Sequence, residues 1–245
     1  MNTKMIAVTI VFAALTVALN LSPVKIPAPY APFLIYQIWE IPIVAAFLLC
    51  GVKSGVSISI INTLVLFAVF PGLLPTGPLY NFAAVLSMLL GIYIAHSFLA
   101  RGRSQKLFVR FATLSFCFLN LSLFYYELIS FRLFTAITFA WLFSFCFILL
   151  LWLETGTSFN WQRGTTLAAF STVFGIVFRV GMMTIINYSL LRFPPPIGYQ
   201  LPEVLIIAML PLIGFFNTTL ALYTIPIGHF LAKAVTLTTK ITHEI

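Results

Sequence analysis

The chain has 245 residues, of which 61% are hydrophobic and only 7% charged, whereas an ordinary soluble domain carries about 25% charged residues. A water-soluble globular fold cannot hide that much apolar surface, so the composition excludes one. The net charge of +8 is scattered over loops rather than interleaved with aromatics on one face, which argues against a nucleic-acid surface.

A bilayer crossing takes about 20 apolar residues. Apolar runs of that order recur near residues 5–21, 41–52, 54–71, 78–99, 107–126, 132–153, 165–191 and 203–232. They predict an all-α integral membrane protein of about eight transmembrane helices, forming a single polytopic domain over 1–245. The stretch Met1 to Leu21 has one lysine and no small-residue cleavage site after it, so it is expected to be a retained span. Within it Ala14 and Ala18, with Ala13 alongside, form an AxxxA pattern. Small residues four apart give a flat strip that another helix can approach closely.

Residues Ser22 to Trp39 follow, with Pro23, Pro27, Pro29 and Pro32 among apolar and aromatic residues. Proline fixes φ and removes a donor, which favours a stiff extended loop over helix. The second span is short for a full crossing, and only Gly51-Val52-Lys53-Ser54-Gly55 separates it from the third. Those two spans are expected to form a tight helical hairpin. Beyond the seventh span, Phe193 to Glu203 contains Pro194-Pro195-Pro196, Ile197, Gly198 and Tyr199. The two proline-rich loops share one face, either as lids over a gated cavity or as loops lying against lipid headgroups.

With the N-terminus in the cytoplasm, Lys4, Lys53, Arg101, Arg103, Lys106, Arg110, Arg163, Lys233 and Lys240 fall on the inner side. Lys25, Arg132 and Arg192 fall outside, and Arg179 lies within a span. This matches the positive-inside bias and places both termini in the cytoplasm of a multi-pass protein of the cell membrane. No 20 to 50 residue repeat is evident, and the halves do not match as inverted copies, which lowers the expectation of an inverted-repeat carrier.

The acidic residues are all glutamates: Glu40, Glu127, Glu154 and Glu203 near span ends, and Glu244 in the tail. No paired acids, HExxH pair, Ser/His/Asp set or phosphate-cradling glycine loop is present in the sequence, so neither an enzyme, nor a metal or cofactor site, nor a nucleotide-driven pump is expected. His96 and His229 lie in apolar spans towards their inner ends and are read as hydrogen-bonded or interfacial. Cys50, Cys117 and Cys146 sit singly in apolar runs, which suits neither zinc nor a disulfide frame. Arg179 is different, because an ionisable group inside a span is expensive and defaults to function. It either binds an anionic group of a substrate or contacts a polar residue of a neighbouring helix.

The uncharged polar residues form a more coherent set. Asn62 lies in the third span, Tyr80 and Asn81 at the outer end of the fourth, Asn187 and Tyr188 at the outer end of the seventh, and Asn217 in the last. With Glu40 at the start of the second span, nearly all fall in the outer half. Amides and phenols suit a neutral ligand with many hydrogen-bonding groups, and aromatic faces suit a flat ring. Any single Asn is better explained as interhelical glue, whereas the set together points to a site.

Several ordered motifs resemble the membrane-embedded substrate-binding (S) components of energy-coupling factor (ECF) transporters, specifically the riboflavin-type members. These are Lys25-Ile-Pro-Ala-Pro-Tyr30, Tyr36-Gln-Ile-Trp-Glu-Ile-Pro42, Cys50-Gly-Val-Lys-Ser-Gly55, Asn62, Gly77-Pro-Leu-Tyr-Asn-Phe82, Asn187-Tyr188 and Pro211-Leu-Ile-Gly-Phe-Phe-Asn217. The resemblance implies a six-helix core, made of 5–100 and 165–235, with a vitamin pocket towards the outside. Residues 107–153 would be a helical hairpin inserted into it. It further implies that Ala14 and Ala18 contact a transmembrane coupling subunit, through which two cytoplasmic ATPases topple the S component in the bilayer. Glu40, Asn62, Tyr80, Asn81, Asn187, Tyr188 and Asn217 would then bind riboflavin or a related flat heterocyclic vitamin. The sequence departs from the family pattern at Leu220, where a polar, often basic residue is usual, and at Glu40, where Asp is more usual. A stand-alone secondary carrier or channel for a small organic solute is the alternative, and it would need a polar path from face to face. An intramembrane enzyme or assembly factor acting on lipid would need the paired acids or histidines that the sequence lacks.

Overall fold

The computed structural model describes residues 3–23, 25–69, 75–100 and 161–239. The expected inserted hairpin 107–153, with Cys117, Glu127, Arg132 and Cys146, lies outside them. The described chain folds into α1 (Thr3–Leu21), a hairpin of β1 (Ile26–Ala28) and β2 (Ala31–Tyr36), α2 (Glu40–Cys50), α3 (Val52–Val69), α4 (Gly77–Ala100), α5 (Trp161–Leu190) and α6 (Glu203–Thr239). All of these helices except α2 contain a stretch long and apolar enough to cross a membrane. Five such helices in one chain define a multi-pass, predominantly helical membrane protein.

The elements follow from local chemistry. α1 is an unbroken apolar run that stops before Pro23, whose predecessor is pushed out of the α region. Between α1 and α2 the expected extended loop proves to be a regular antiparallel hairpin. It pairs Ile26 with Tyr36, Pro27 with Ile35 and Ala28 with Ala31, with the register shifting between Pro27 and Ala28. Three prolines bar helix there, and proline is tolerated on an edge strand or at an irregularity of this kind. This short hairpin aside, the described residues are mostly helical, consistent with the expected all-α membrane protein.

α2 starts at Glu40 and has Pro42 in its first turn, where a missing N–H leaves no helical bond unmade. Every residue from Ile43 to Cys50 is buried, as a helix apolar on all sides must be. Its 11 residues cover about 16 Å, roughly half the bilayer core. A single residue, Gly51, joins α2 to α3, and its φ of 85° is one that glycine adopts without strain. The tight helical turn read from the sequence is thus tighter than expected.

α2 is the centre of the bundle, packed against α1, α3, α4 and α6. The main core gathers Phe12 of α1, Ile43 to Cys50 of α2, Ile58 of α3, Met88 and Ile92 of α4, Ile176 of α5 and Ala221 and Ile225 of α6. α1 and α3 run parallel, joined by Thr9 to Ser54 at 3.0 Å and by Asn20 to Asn62 at 2.9 Å. α4 and α5 run antiparallel with their backbones in close contact: a Cβ on Gly91 would lie 2.7 Å from the carbonyl carbon of Phe174 and 2.8 Å from the nitrogen of Gly175. α5 and α6 are also antiparallel, with Arg179 meeting Asn217 and Gly175 lying against Ile225. α6 is 37 residues long and carries Pro211 and Pro226 inside it.

Candidate functional site

Glu40 and Arg179 are both 3% exposed and form a buried ion pair between the first turn of α2 and the middle of α5. The guanidinium grips the carboxylate with both terminal nitrogens: Nη2 donates to Oε1 at 2.9 Å and Nη1 donates to Oε2. Its Nε donates to Oδ1 of Asn217 at 2.9 Å, and Nη1 also faces the Met88 sulfur at 3.6 Å. The Asn217 amide is oriented by its own Nδ2, which donates to the carbonyl of Ile213 one turn back at 2.9 Å. Four helices therefore meet at one charged node. Glu40 suits its place, because a carboxylate in the first turn is favoured by the helix dipole. Such two-pronged charge-assisted pairing fixes geometry as well as energy.

The node lies deep in the bundle. Arg179 is eleven residues before the end of α5 at Leu190, about 16 Å along the helix. The β1–β2 hairpin reaches the same level, since Tyr36 packs on Phe216, the neighbour of Asn217, with ring centroids 5.1 Å apart. Tyr30 meets Phe215 edge to face at 5.1 Å, and Ala28 is buried with Phe216 and Leu220. Leu220 is thus part of the floor on which the hairpin rests. The Tyr30 and Tyr36 hydroxyls lie 2.7 Å apart. The link from β2 to α2 is tied too: Tyr223 donates to the Gln37 carbonyl at 2.6 Å, and the Trp39 indole donates to the Gln37 side-chain oxygen.

A second loop closes the same end of the bundle. Thr76 donates to the carbonyl of Pro196 at 2.6 Å, and Tyr80 donates to that of Ile197 at 2.9 Å, fastening the 193–201 loop to the start of α4. Inside that loop Gln200 donates to Phe193 and Leu201 to Leu191. Nearby, Tyr188 donates to Glu203 at 2.7 Å, while the Arg192 guanidinium lies 4.7 Å over the Tyr188 ring.

Of the residues singled out in the sequence, Glu40 and Asn217 converge, with Arg179 between them. The others separate. Asn62 is 2% exposed and pairs with Asn20 at the α1–α3 contact, Tyr80 binds the 193–201 loop, and Tyr188 binds Glu203. Asn187 is buried and donates to the carbonyl of Met183 in its own helix at 2.6 Å, whereas Asn81 is exposed. Ala14 and Ala18 lie on the exposed face of α1, opposite buried Phe12, Ala13, Thr16 and Asn20. His96 and His229 come together from α4 and α6, nearly parallel with centroids 6.1 Å apart. Sequence reasoning missed Asn20, Gln37 and Tyr223, whose roles depend on partners up to 186 residues away. A polar residue near the end of an apolar span was the signal for Asn20. Among the described residues no group of three or more His, Cys, Asp or Glu could hold a metal ion.

The fold and its buried charge define a multi-pass membrane protein with a polar node at bilayer depth. Comparison with protein-family models, with curated proteins and with solved structures finds no match.

Proposed function

We propose that the chain is the membrane-embedded substrate-binding subunit of an ECF-type vitamin importer, capturing riboflavin or a related flat, uncharged heterocyclic vitamin from the outer face. The observation that carries the reading is the β1–β2 hairpin at the depth of the ion pair. Non-helical backbone at membrane depth is tolerated only where it is buried in protein or lines a water-filled cavity. Here one side of the hairpin is buried on α6, while Ile26 on β1 is 61% exposed. A half-length α2 beneath it leaves the outer part of that position to extended chain, as interrupted helices do at binding sites in other transporters.

Two further features support the same reading. The small-residue face of α1 is exposed, as a contact for a coupling subunit has to be. Arg179 is neutralised by Glu40, so the node offers no unpaired charge to a ligand, which suits an uncharged one. Asn81 and Tyr80, at the start of α4 beside the second loop, are the residues best placed to contact a ligand entering between the two loops.

The test is titration of riboflavin into the detergent-purified protein, followed by quenching of flavin fluorescence, with Asn81→Ala as the comparison. Saturable quenching at about one flavin per chain, weakened at least tenfold (about 1.4 kcal/mol) in the variant, is the expected result. Absence of quenching rules out riboflavin, and absence of stabilisation by any vitamin in a thermal-shift panel rules out the vitamin-binding reading.

A further inference from the structure

We propose that the Arg179–Glu40–Asn217 node is the latch that sets where the β1–β2 hairpin sits, and that its contribution is position rather than net stability. Glu40 heads α2, and only Gln37, Ile38 and Trp39 separate it from Tyr36 at the end of β2. The four residue steps from Tyr36 to Glu40 span at most about 14 Å, so an anchored Glu40 limits where the hairpin can go. That short link is itself held, by Tyr223 on the Gln37 carbonyl and by the buried Trp39 indole on the Gln37 side chain. On α6, Asn217 stands among the residues the hairpin rests on, Phe215, Phe216 and Leu220. The node thus joins the foot of the hairpin to its resting surface.

Charge is the means of fixing this position because, apart from the Tyr223 bond to the Gln37 carbonyl, the alternative contacts are mainly non-directional. Ala28, Tyr30 and Tyr36 meet α6 mainly through apolar and ring surfaces, and burial of such surface rewards area rather than orientation. A two-stranded hairpin is also marginal alone. The guanidinium fork accepts few geometries, and the Nε bond to Asn217 makes the same fork choose its height along α6. A buried ion pair adds little net stability over well-packed apolar residues of similar volume. What is lost on replacing it is the register. This holds whatever the ligand, and it does not depend on the transport reading.

The experiment compares the full-length protein with Glu40→Leu/Arg179→Met, whose side chains fill a similar volume, by melting temperature and by backbone hydrogen exchange resolved over residues 25–39. The expected result is a melting point within about 4 °C of the parent with exchange in 25–39 at least about tenfold faster, while exchange around Gly91 in α4 is unchanged. Unchanged exchange in 25–39 overturns the proposal, and so does a rise of equal size throughout the bundle. Asn217→Leu keeps the ion pair and removes the Nε bond together with the Asn217 side-chain bond to the Ile213 carbonyl within α6, so it decides the matter if the double variant does not fold. It is expected to speed exchange in 25–39 roughly threefold with α4 unaffected, and no change there also overturns the proposal.

Discussion

Replacing Arg179 alone by Met strands a carboxylate that is 3% exposed in an apolar bundle. Removing one partner of a buried pair costs about 3–5 kcal/mol. The dipole of α2 behind Glu40 offsets about 1 kcal/mol of this, which leaves a net loss of roughly 2–4 kcal/mol. For a chain of this size each kcal/mol moves the melting point by about 2–4 °C. Arg179→Met is therefore expected to melt roughly 5–15 °C lower, and Glu40→Leu, which strands the guanidinium, by a similar amount. The double variant, with neither ion present, recovers most of the loss. Thermal unfolding of purified protein in detergent, followed by helical circular dichroism, gives the cycle. A coupling energy near 2 kcal/mol or more is expected; losses that simply add, with coupling below about 0.5 kcal/mol, would refute the view that each charge is held only by the other.

The same substitution should act in opposite directions at two glycines. Gly91→Ala puts a methyl onto the Phe174 backbone and requires α4 and α5 to part by roughly 1 Å, an overpacking cost of about 1–3 kcal/mol, whereas at Gly181 nothing lies within 4 Å of the new carbon. Gly181→Ala should instead raise the melting point, by the roughly 0.5–1 kcal/mol that Ala gains over Gly in a helix. Asn20→Leu leaves Asn62 without its interhelical donor and should lower stability by about 1 kcal/mol, with Asn20→Leu/Asn62→Leu recovering part of it; equal losses in the two variants would show that the amide pair contributes nothing. Tyr80→Phe removes the tie to Ile197 and should change the melting point by less than about 1 kcal/mol equivalent. Limited proteolysis at 193–201 is the sensitive measurement for that variant, with faster cleavage expected.

Much of the architecture was legible because a bilayer leaves few ways to satisfy a backbone. Runs of apolar residues must be helices, so α1, α3, α4, α5 and α6 lie where hydropathy puts them, within a few residues at most ends. α6 is the exception: it continues seven residues past the expected end, to Thr239, because a helix may project beyond the membrane without any apolar signal. The prolines of 22–39 announced extended chain, but not that its strands pair with each other. That pairing depends on a turn at Pro29-Tyr30 and on the surface of α6, both invisible to local pattern.

The site divides along the same line. Composition and spacing alone determined that this is a multi-pass helical membrane protein, that Arg179 is out of place in an apolar span and that polar residues collect towards one end. Only the tertiary structure decided that Arg179 answers Glu40 across 139 residues, that Asn217 belongs with them, and that Asn62 belongs to Asn20 instead. The physical reason is that an isolated charge or amide states a need for a partner in a medium without water. Which partner meets it is fixed by how α2, α5 and α6 pack, and that depends on close contacts such as Gly228 on Val44 and Gly175 on Ile225, summed over the whole bundle.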